Sequence, residues 1–333
     1  MKIAIQEGGF SERWIKYCNR NQIDYIIVNA YDSYIIDKVK GCDAFMWHHH
    51  HADYKDVLFA KQLIYSLESI GVKCFPNFHT VWHFDDKVGQ KYLLEAIGAP
   101  LVPSYVFYTK KDAMEWIRNT SFPKVFKLRG GAGASNVKLA YTAKDARRFV
   151  KKSFGKGFSQ FNRLSYLKER FRGWREGRDS FFGVLKGLGR LFITTDFDKM
   201  HAREKGYSYF QDFIPNNDTD YRVKVVNGNC WAFQRKVRKN DFRASGSGQL
   251  IFDNTQIPLD LVKSAQDTAR LLQLQSVAFD YIYDKVRNRF LIVEMSYGFG
   301  YDEYECHNGY WDSNCVFHSE LFDPFGWMVQ TIL

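Results

Sequence analysis

The sequence predicts an α/β fold in which an N-terminal parallel sheet precedes two lobes of mixed helices and antiparallel strands. Up to about residue 75, short apolar strands alternate with helical patterns, which is typical of a parallel sheet. A strand at 124–128 then runs directly into a glycine-rich loop. From Tyr207 onward the strands are longer, and Asn227-Gly228 is a strong hairpin signal.

The N-terminal elements follow a regular order. Lys2–Gln6 is a short apolar run and predicts the first strand. Ser11 can cap the helix that follows, which contains Trp14. The remaining predicted elements are strands at 25–29, 43–47 and 73–76, and a helix at 54–70 that Gly71 closes.

The middle of the chain begins with Asp85-Asp86, which predicts the start of a helix that Gly98 closes. Thr142 and Asp145 resemble a capping box at the start of a later helix. Between these helices the sequence predicts a strand at 104–108, a helix at 110–119, a strand at 124–128 and a returning strand at 137–140.

The C-terminal part of the chain is dominated by strands. Those at Tyr207–Phe213, Tyr221–Asn227 and Cys230–Val237 are spaced as an antiparallel meander. Pro258 opens a helix, strands follow at 279–283 and 289–295, and a short apolar helix ends the chain. Because 333 residues suffice for two or three domains, we expect domains at 1–80, 81–206 and 207–333.

The positive charge of the chain is unevenly distributed. The net charge is +10, and residues 151–190 contain 11 Lys/Arg against 3 Asp/Glu, a local excess of +8. A solvated helical face explains such a stretch. A docking surface for an anionic substrate, a membrane surface or nucleic acid is the alternative, and of these we expect nucleic acid least.

Three features favour a cytoplasmic protein. The six cysteines contain no Cys-x-x-Cys pair and are spaced as reduced thiols. No window approaches the roughly 18 uninterrupted apolar residues of a membrane span. The N-terminus also reaches Glu7 too early for a signal peptide.

A glycine-rich segment, Gly130–Ser135, directly follows the strand that carries Lys127. Backbone amides of such a loop can approach phosphate oxygens closely. The segment matches neither of the two standard nucleotide-binding glycine motifs, so a simple turn is the alternative. A lysine pointing inward from an apolar strand needs a negative partner, such as a nucleotide phosphate, unless it faces water from an edge strand.

Two carboxylates stand in apolar strands far along the chain. Asp280 lies within Val277–Ile282 and Glu294 within Leu291–Ser296. Carboxylates on adjacent strands, with the Ser296 hydroxyl, would form an oxygen-rich site suited to Mg²⁺. Carboxylates bonded to local arginines are the alternative.

Arginines recur along the predicted meander and the loop after it. Arg222, Arg235 and Arg243 could neutralise the charge of a transferring phosphoryl group beside a metal site. An exposed strand face is the alternative explanation for them.

Two histidine-containing motifs have simpler explanations than metal binding. Residues His48–His51 cannot all bind one metal from a strand, because adjacent residues point to opposite faces. A lip of a substrate cleft is an intermediate interpretation. Cys306-His307, Cys315 and His318 match no zinc spacing, so we expect a packed aromatic cap, in which Tyr310 and Trp311 could shape an acceptor pocket.

Residues 80–300 resemble the ATP-grasp superfamily, especially RimK-like carboxylate–amine ligases and related proteins of surface-polysaccharide clusters. The resemblance rests on the order of Lys87, Lys127, the glycine-rich loop, Gln211–Ile214 and the two carboxylate strands. It implies an ATP-grasp fold with an N-terminal pre-ATP-grasp domain. It also implies that ATP and one or two Mg²⁺ ions are the cofactors.

The resemblance also implies roles for individual residues. Two residues would be the ATP-binding lysines, namely Lys87 and Lys127. The loop over the phosphates would consist of Gly130, Gly131, Gly133 and Ser135. The adenine hinge would be formed by Gln211, Asp212 and Phe213, and the ribose would be bound by Asp220. The catalytic arginines would be Arg222, Arg235 and Arg243, and the magnesium ligands Asp280, Glu294 and Ser296. Where the family usually has Glu-x-Asn, this chain has Glu294-Met295-Ser296.

The resemblance implies an ADP-forming ligase that joins a carboxylate to an amine through an acyl phosphate. A sugar-linked carboxylate in polysaccharide biosynthesis is one implied substrate, and a peptide or protein acceptor, as in RimK-type ligases, is equally compatible with the resemblance. A homodimer is the implied assembly. An ATP-grasp kinase acting on a hydroxyl is one alternative. A non-catalytic module that binds a polyanion under control of ATP is another.

Overall fold

A computed structural model describes residues 1–131, 136–159, 202–238, 241–243 and 248–333, together with residues 167, 171, 174, 180, 182 and 183. The chain forms two compact units. The first contains Met1–Phe84, Tyr92–Leu101 and Asn216–Leu333, and the second contains Asp85–Lys91 and Val102–Pro215. The three predicted domain ranges stay a prediction.

The N-terminal sheet of the first unit is parallel, as predicted. Its strands are β1 (Lys2–Gln6), β2 (Asp24–Val28), β3 (Ala44–Met46) and β4 (Lys73–Phe75), in the order β2-β1-β3-β4. The associated helices are α1 (Ser11–Arg20), α2 (Ile35–Val39), α3 (Tyr54–Ser69) and α4 (Phe78–Trp82). Ile3 and Ile5 pack in one core cluster with Trp14 of α1, whereas Ala4 belongs to a second cluster with residues of α2 and α3. Alternating faces of one strand therefore serve two helical layers.

The predicted cap of α1 is wrong. Ser11 is the first helical residue, and Phe10 occupies the N-cap position without a side-chain bond to the helix. The Ser11 hydroxyl instead accepts a bond from the backbone N–H of Gly8, at 2.9 Å. The hydroxyl therefore stabilises the turn between β1 and α1.

The second sheet of the first unit contains the strands with the predicted metal residues. They are β9 (Thr219–Val226), β10 (Asn229–Lys236), β12 (Ser276–Asp284) and β13 (Arg289–Ser296), extended by β11 (Leu250–Ile251), β14 (Tyr310–Trp311) and β15 (Phe317–His318). The order is β13-β12-β9-β10-β14-β15, with β11 also paired to β10. The hairpin between β9 and β10 turns at Asn227 and Gly228, whose φ angles of 49° and 80° confirm the predicted turn. Helix α8 (Leu259–Leu271) contributes to the core of this sheet, and α9 (Pro324–Gln330) lies near the C-terminus.

The sheet of the second unit is antiparallel. Its strands are β5 (Ser104–Phe107), β6 (Lys124–Lys127), β7 (Lys138–Ala140) and β8 (Ser208–Asp212), in the order β5-β8-β6-β7. Its helices are α6 (Lys110–Asn119) and α7 (Ala143–Ser153), and α5 (Lys87–Ala96) begins in this unit.

The predicted meander is wrong for its first strand. β8 does not pair with β9 but lies between β5 and β6. Phe210 of β8 is fully buried there, with its ring 5.4 Å from Phe126 and 5.1 Å from Trp116. The burial of this ring between distant segments determines the pairing, which the spacing of strands along the chain cannot reveal.

Two sequence-based expectations can be compared with the described residues. All six cysteines lie within them and are free thiols. Every helix in these residues is too short or too polar to cross a bilayer.

Candidate active site

A row of charged side chains crosses the second sheet of the first unit. Asp280 of β12 lies directly opposite Glu294 of β13 on one side and Arg222 of β9 on the other. Directly opposed residues of neighbouring strands project from the same face of a sheet. The prediction that the two carboxylates lie on adjacent strands is confirmed.

Asp280 is bound by two arginines. Arg222 donates from Nε and Nη2 to its two carboxylate oxygens, at 2.8 and 2.9 Å. Nη2 of Arg235 lies 3.0 Å from the same carboxylate and also pairs with Asp220, to which Arg235 donates at 2.8 and 2.6 Å. In this structure Asp280 is thus bonded to local arginines, which was the alternative to a magnesium ligand in the sequence-based prediction. The ribose role of Asp220 stays a prediction.

The ionisation of this network follows from burial and charge together. Burial would raise the pKa of Asp280, but the guanidinium groups of Arg222 and Arg235 outweigh it and hold that pKa well below its usual range. For Asp220, burial raises the pKa against the lowering effect of Arg235. Two arginines therefore maintain Asp280 as a carboxylate in a largely buried position.

The residues present have the chemistry that Mg²⁺ requires. Glu294 and Ser296 are two positions apart on β13 and thus face the same side, which is also the side of Asp280. Mg²⁺ takes hard oxygen ligands and is commonly held by one or two carboxylates together with substrate phosphates. In the part of the chain that the structure describes, no three His, Cys, Asp or Glu side chains gather into a metal site. Glu294 and Ser296 therefore offer oxygen ligands that fit a magnesium ion held partly by phosphate, and Asp280 would join them only by sharing its carboxylate oxygens with Arg222 and Arg235.

In the second unit, Lys127 points into the protein. It ends β6, a strand flanked by β8 and β7, and it is only 4% exposed. Its Nζ donates to the side-chain oxygen of Gln211 at 2.7 Å. The alternative of an edge-strand lysine facing water is wrong, because β6 is an interior strand.

Lys87 connects the start of α5 to the glycine-rich loop. It is 5% exposed and donates from Nζ to the carbonyl of Gly131, at 2.9 Å. The N–H of Gly131 donates to Asp85, also in this unit, at 2.8 Å. Gly131 has a φ of +101°, which a residue with a Cβ rarely adopts. Gly130 precedes it, and the predicted loop residues Gly133 and Ser135 lie outside the described residues.

The predicted adenine hinge begins at the end of β8. Gln211 and Asp212 are its last two residues, and Phe213 follows. Asp212 is paired with Lys124, whose Nζ lies 2.5 Å from its carboxylate. Sequence analysis missed Lys124, because only the antiparallel register of β6 and β8 places it opposite Asp212.

A buried pair beside the carboxylate row was also missed. Lys224, two residues after Arg222 on β9, donates to both oxygens of Glu305 at 2.6 and 2.7 Å and to the carbonyl of Gly300 at 2.7 Å. The indole N–H of Trp231 donates to Glu305 at 2.6 Å. Burial lowers the pKa of Lys224 to about 8 even though Glu305 favours its charged form. Asp220, Arg222 and Lys224 alternate along one strand and so share a face, and this pattern could have indicated Lys224 as a further charged residue of the row.

Arg243 lies in the short described segment 241–243. Its guanidinium pairs with Asp241 at 2.6 Å. The four residues that follow, 244–247, lie outside the described residues. The catalytic role of Arg243 stays a prediction.

The histidine run follows β3 and is partly buried. The ring of His49 lies 5.4 Å from Phe84 and 5.0 Å from Tyr297, whose hydroxyl donates to the His49 carbonyl at 2.5 Å. Burial lowers the pKa of His48 to about 4 and of His49 to about 3, so both rings are neutral at pH 7. The lip role of this run stays a prediction.

The aromatic C-terminal cap is present. The ring of Tyr310 stacks on His318 at 4.9 Å and meets Trp327 edge-on at 4.9 Å. Cys306, His318 and their neighbours form no metal cluster within the described residues.

Comparisons with known proteins identify the fold. No protein-family model and no curated protein sequence matches this chain. Solved structures do match. A RimK domain ATP-grasp protein from Sphaerobacter thermophilus aligns over 100% of this chain and 99% of its own, at 12% identity and a TM-score of 0.55.

Two ligases give similar alignments. D-alanine–D-alanine ligase from Bacillus anthracis, complexed with ATP, aligns over 92% of this chain and 88% of its own, at 13% identity and a TM-score of 0.55. The ATP-grasp ligase PsnB, complexed with its minimal precursor, Mg and ADP, aligns over 99% and 96%, at 10% identity and a TM-score of 0.54. The described sheets and these alignments agree with the predicted architecture. The chain has the ATP-grasp fold.

Proposed function

We propose that this chain is an ADP-forming ligase that activates a carboxylate with Mg-ATP and joins it to an amine. The observation that carries the proposal is the row formed by Arg222, Asp280 and Glu294 on one face of a sheet in an ATP-grasp fold. Two similar structures are ligases, one with ATP and one with Mg and ADP. Their activities support the same reaction class here.

The residues proposed to bind the nucleotide come from both units. In the second unit these are Lys87, Lys127, Gly130, Gly131, Gln211, Asp212 and Phe213, with Gly133 and Ser135 outside the described residues. In the first unit the residue is Asp220. Buried lysine ammonium groups favour phosphate, because an anion offsets the cost of burying their charge.

Mg²⁺ would be held by Asp280, Glu294 and Ser296, and when bound it would neutralise charge on the transferring phosphoryl group. Arg222 and Arg235 fix the orientation of Asp280 and keep it anionic. Arg222, Arg235 and Arg243 are also proposed to stabilise the negative charge that develops during transfer. The chain would contribute alignment and electrostatics, with no covalent intermediate on the protein.

In the proposed reaction, an oxygen of the substrate carboxylate attacks the γ-phosphorus of ATP, and the bond to the β-phosphate oxygen breaks. This gives an acyl phosphate and ADP. The amine then attacks the acyl carbon, phosphate leaves, and the amine loses a proton. We propose a sugar-linked carboxylate in surface-polysaccharide synthesis as the substrate, a cytoplasmic location and a homodimer, on the ground of the family resemblance.

The test is ADP release from Mg-ATP over a panel of carboxylates, with hydroxylamine present to trap the acyl phosphate. A hydroxamate formed with one carboxylate class, by the wild type and not by Glu294→Gln, is the expected result. ADP release without hydroxamate would indicate a kinase that phosphorylates a hydroxyl. Failure of Mg-ATP to bind at all would reject the proposal.

A further inference from the structure

The sheet face that carries the proposed magnesium ligands has a second row of residues beside the first. Ser296 of β13 lies opposite Ala278 of β12, and Lys224 of β9 lies opposite Ala278 on the other side. Lys224 is two positions from Arg222 on β9, so both rows project from one face of the sheet. At about 4.8 Å between neighbouring strands, the backbone at Lys224 is about 10 Å from that at Ser296. Lys224 therefore belongs to the same face as the proposed ligands.

Lys224 and Glu305 form a group of charges on this face whose bonds are all made within the protein. The three protons of the Lys224 ammonium match three acceptors, which are the two carboxylate oxygens of Glu305 and the carbonyl of Gly300. Glu305 also accepts from the indole N–H of Trp231 at 2.6 Å and from the backbone N–H of Asp302 at 3.1 Å. Only 1% of the Lys224 side chain and 3% of the Glu305 side chain are exposed. The pair as a whole is neutral.

The partners of Lys224 lie on the residues that directly follow β13. We call these residues, 297–305, the strap. Its members Gly300 and Glu305 both bind Lys224, which lies two strands away from β13. The strap therefore turns back from β13 toward β9. Because Gly298 and Gly300 place little restriction on the backbone, the course of the strap depends on what holds it at its far end.

The pairing of β13 with β12 leaves the proposed ligands at the end of an interrupted ladder. The register between these strands shifts by one residue between Asp280 and Tyr281 of β12. An irregularity of this kind disrupts the ladder and bends the strand. Only the three residues Glu294–Ser296 of β13 pair with β12 beyond the shift. The bonds of Lys224 to the strap supply a second constraint, on the other side of these three residues.

A buried ion pair is better suited to fixing this geometry than to raising stability. An apolar pair of similar volume would be about as stable in the same place or more stable. An apolar pair would also tolerate a slipped strap, since contacts between apolar groups have no preferred direction. A slip would instead leave the charges of Lys224 and Glu305 buried without partners, at a cost of several kcal/mol. The ion pair therefore permits one course of the strap.

We propose that Lys224 and Glu305 are positioning residues for the magnesium site. By fixing the strap across the sheet, they hold Glu294 and Ser296 where both side chains bind the same ion. Because the pair is neutral, it does so without repelling the metal. This inference rests on the proposed function, of which magnesium is a part, and its test separates the two.

The test is the binding of ADP with and without Mg²⁺, measured by titration calorimetry on the full chain. In the wild type we expect Mg²⁺ to tighten the binding of ADP. The variant combines Lys224→Met with Glu305→Leu, which retains buried apolar volume and removes the polar bonds to the strap. Groups that orient metal ligands typically contribute 10–100-fold to metal affinity, so the tightening by Mg²⁺ should decrease at least about tenfold. Binding of ADP without metal should equal that of the wild type.

The matched control is Asp284→Asn, at the opposite end of the hairpin formed by β12 and β13. Asp284 is 3% exposed and pairs with Arg287 at 2.6 Å. The control also removes a buried charge and should lower the free energy of unfolding, but it should leave the tightening by Mg²⁺ unchanged.

Three outcomes would overturn the inference. A double variant in which Mg²⁺ tightens ADP binding as in the wild type would show that the pair contributes stability alone, and the proposed function would stand. An equal decrease in the control and in the double variant would indicate general loosening of the hairpin. A wild type whose binding of ADP does not respond to Mg²⁺ would overturn both the positioning role and the magnesium assignment.

Discussion

Replacing Asp280 with Asn should destabilise the first unit, because Asp280 is the shared partner of two arginines. The carboxylate is 16% exposed and accepts two bonds from Arg222 and a third contact from Arg235. The substitution preserves the shape of the side chain and removes its charge.

The expected loss of folding free energy can be worked out from these contacts. Arg235 is only 6% exposed, but it retains both of its bonds to Asp220, whereas Arg222, at 26%, can be partly rehydrated. The loss is therefore dominated by the two charge-assisted bonds from Arg222, of which the side-chain amide of the variant can replace at most one. Removing one partner of a buried ion pair costs about 3–5 kcal/mol, and the remaining partners place the cost of Asp280→Asn at about 3 kcal/mol.

The assay is urea unfolding followed by tryptophan fluorescence and circular dichroism. The control is Asp267→Asn, which breaks an ion pair with Arg270 on the surface of α8, where the two side chains are 60% and 80% exposed. Exposed pairs contribute less than about 1 kcal/mol, so the control should unfold close to the wild type. The contrast between the two variants isolates the effect of burial.

The reasoning fails if Asp280→Asn and Asp267→Asn unfold at the same urea concentration. That result would mean that the arginine network adds nothing to stability. If Asp280→Asn were then inactive although fully stable, the carboxylate would act only in catalysis or metal binding.

Three further predictions concern other parts of the first unit. Burial holds the pKa of His49 at about 3 in the folded chain, whereas the unfolded value is 6.5. Below pH 6.5 the unfolded chain therefore binds a proton that the folded chain does not, and the free energy of unfolding decreases as the pH falls. By pH 5 this costs about 2 kcal/mol, and His49→Gln should reduce the loss of thermal stability between pH 7.5 and 5 by that amount; an unchanged pH profile would reject the burial argument. Glu294→Gln should lower kcat for ADP release at least about 100-fold with little change in unfolding midpoint, since its proposed role is in metal binding, and a fully active variant would contradict that role. Glu305→Gln should lower the free energy of unfolding in urea by about 3 kcal/mol, because it leaves the ammonium of buried Lys224 without its ionic partner. A double variant, Lys224→Met with Glu305→Leu, should recover part of this loss. No loss in the single variant would show that the pair is neutral to folding.

Local sequence signals determined the elements that depend on neighbouring residues. Lys2–Gln6 and Lys110–Asn119 match the predicted bounds, because the apolar pattern that predicts them acts within a few positions. In the structure the hydroxyl of Thr109 caps the helix by accepting a bond from the N–H of Asp112. Asn227-Gly228 formed its hairpin because both residues adopt positive φ at low cost. The carboxylates of β12 and β13 were visible because charge is rare within apolar strands.

Tertiary structure alone decided the partners. Lys224 meets Glu305 and Asp280 meets Arg222 across 81 and 58 residues of chain, and β8 pairs with β5 and β6 because Phe210 fills the core there. These contacts depend on which apolar faces pack together, and the free energy of that packing comes from residues far apart in the sequence. The sequence by itself therefore predicted the fold class and the residues that carry charge into strands. Long-range packing decided which of those charges compensate one another, because a buried charge is stabilised only by the partner that the fold brings to it.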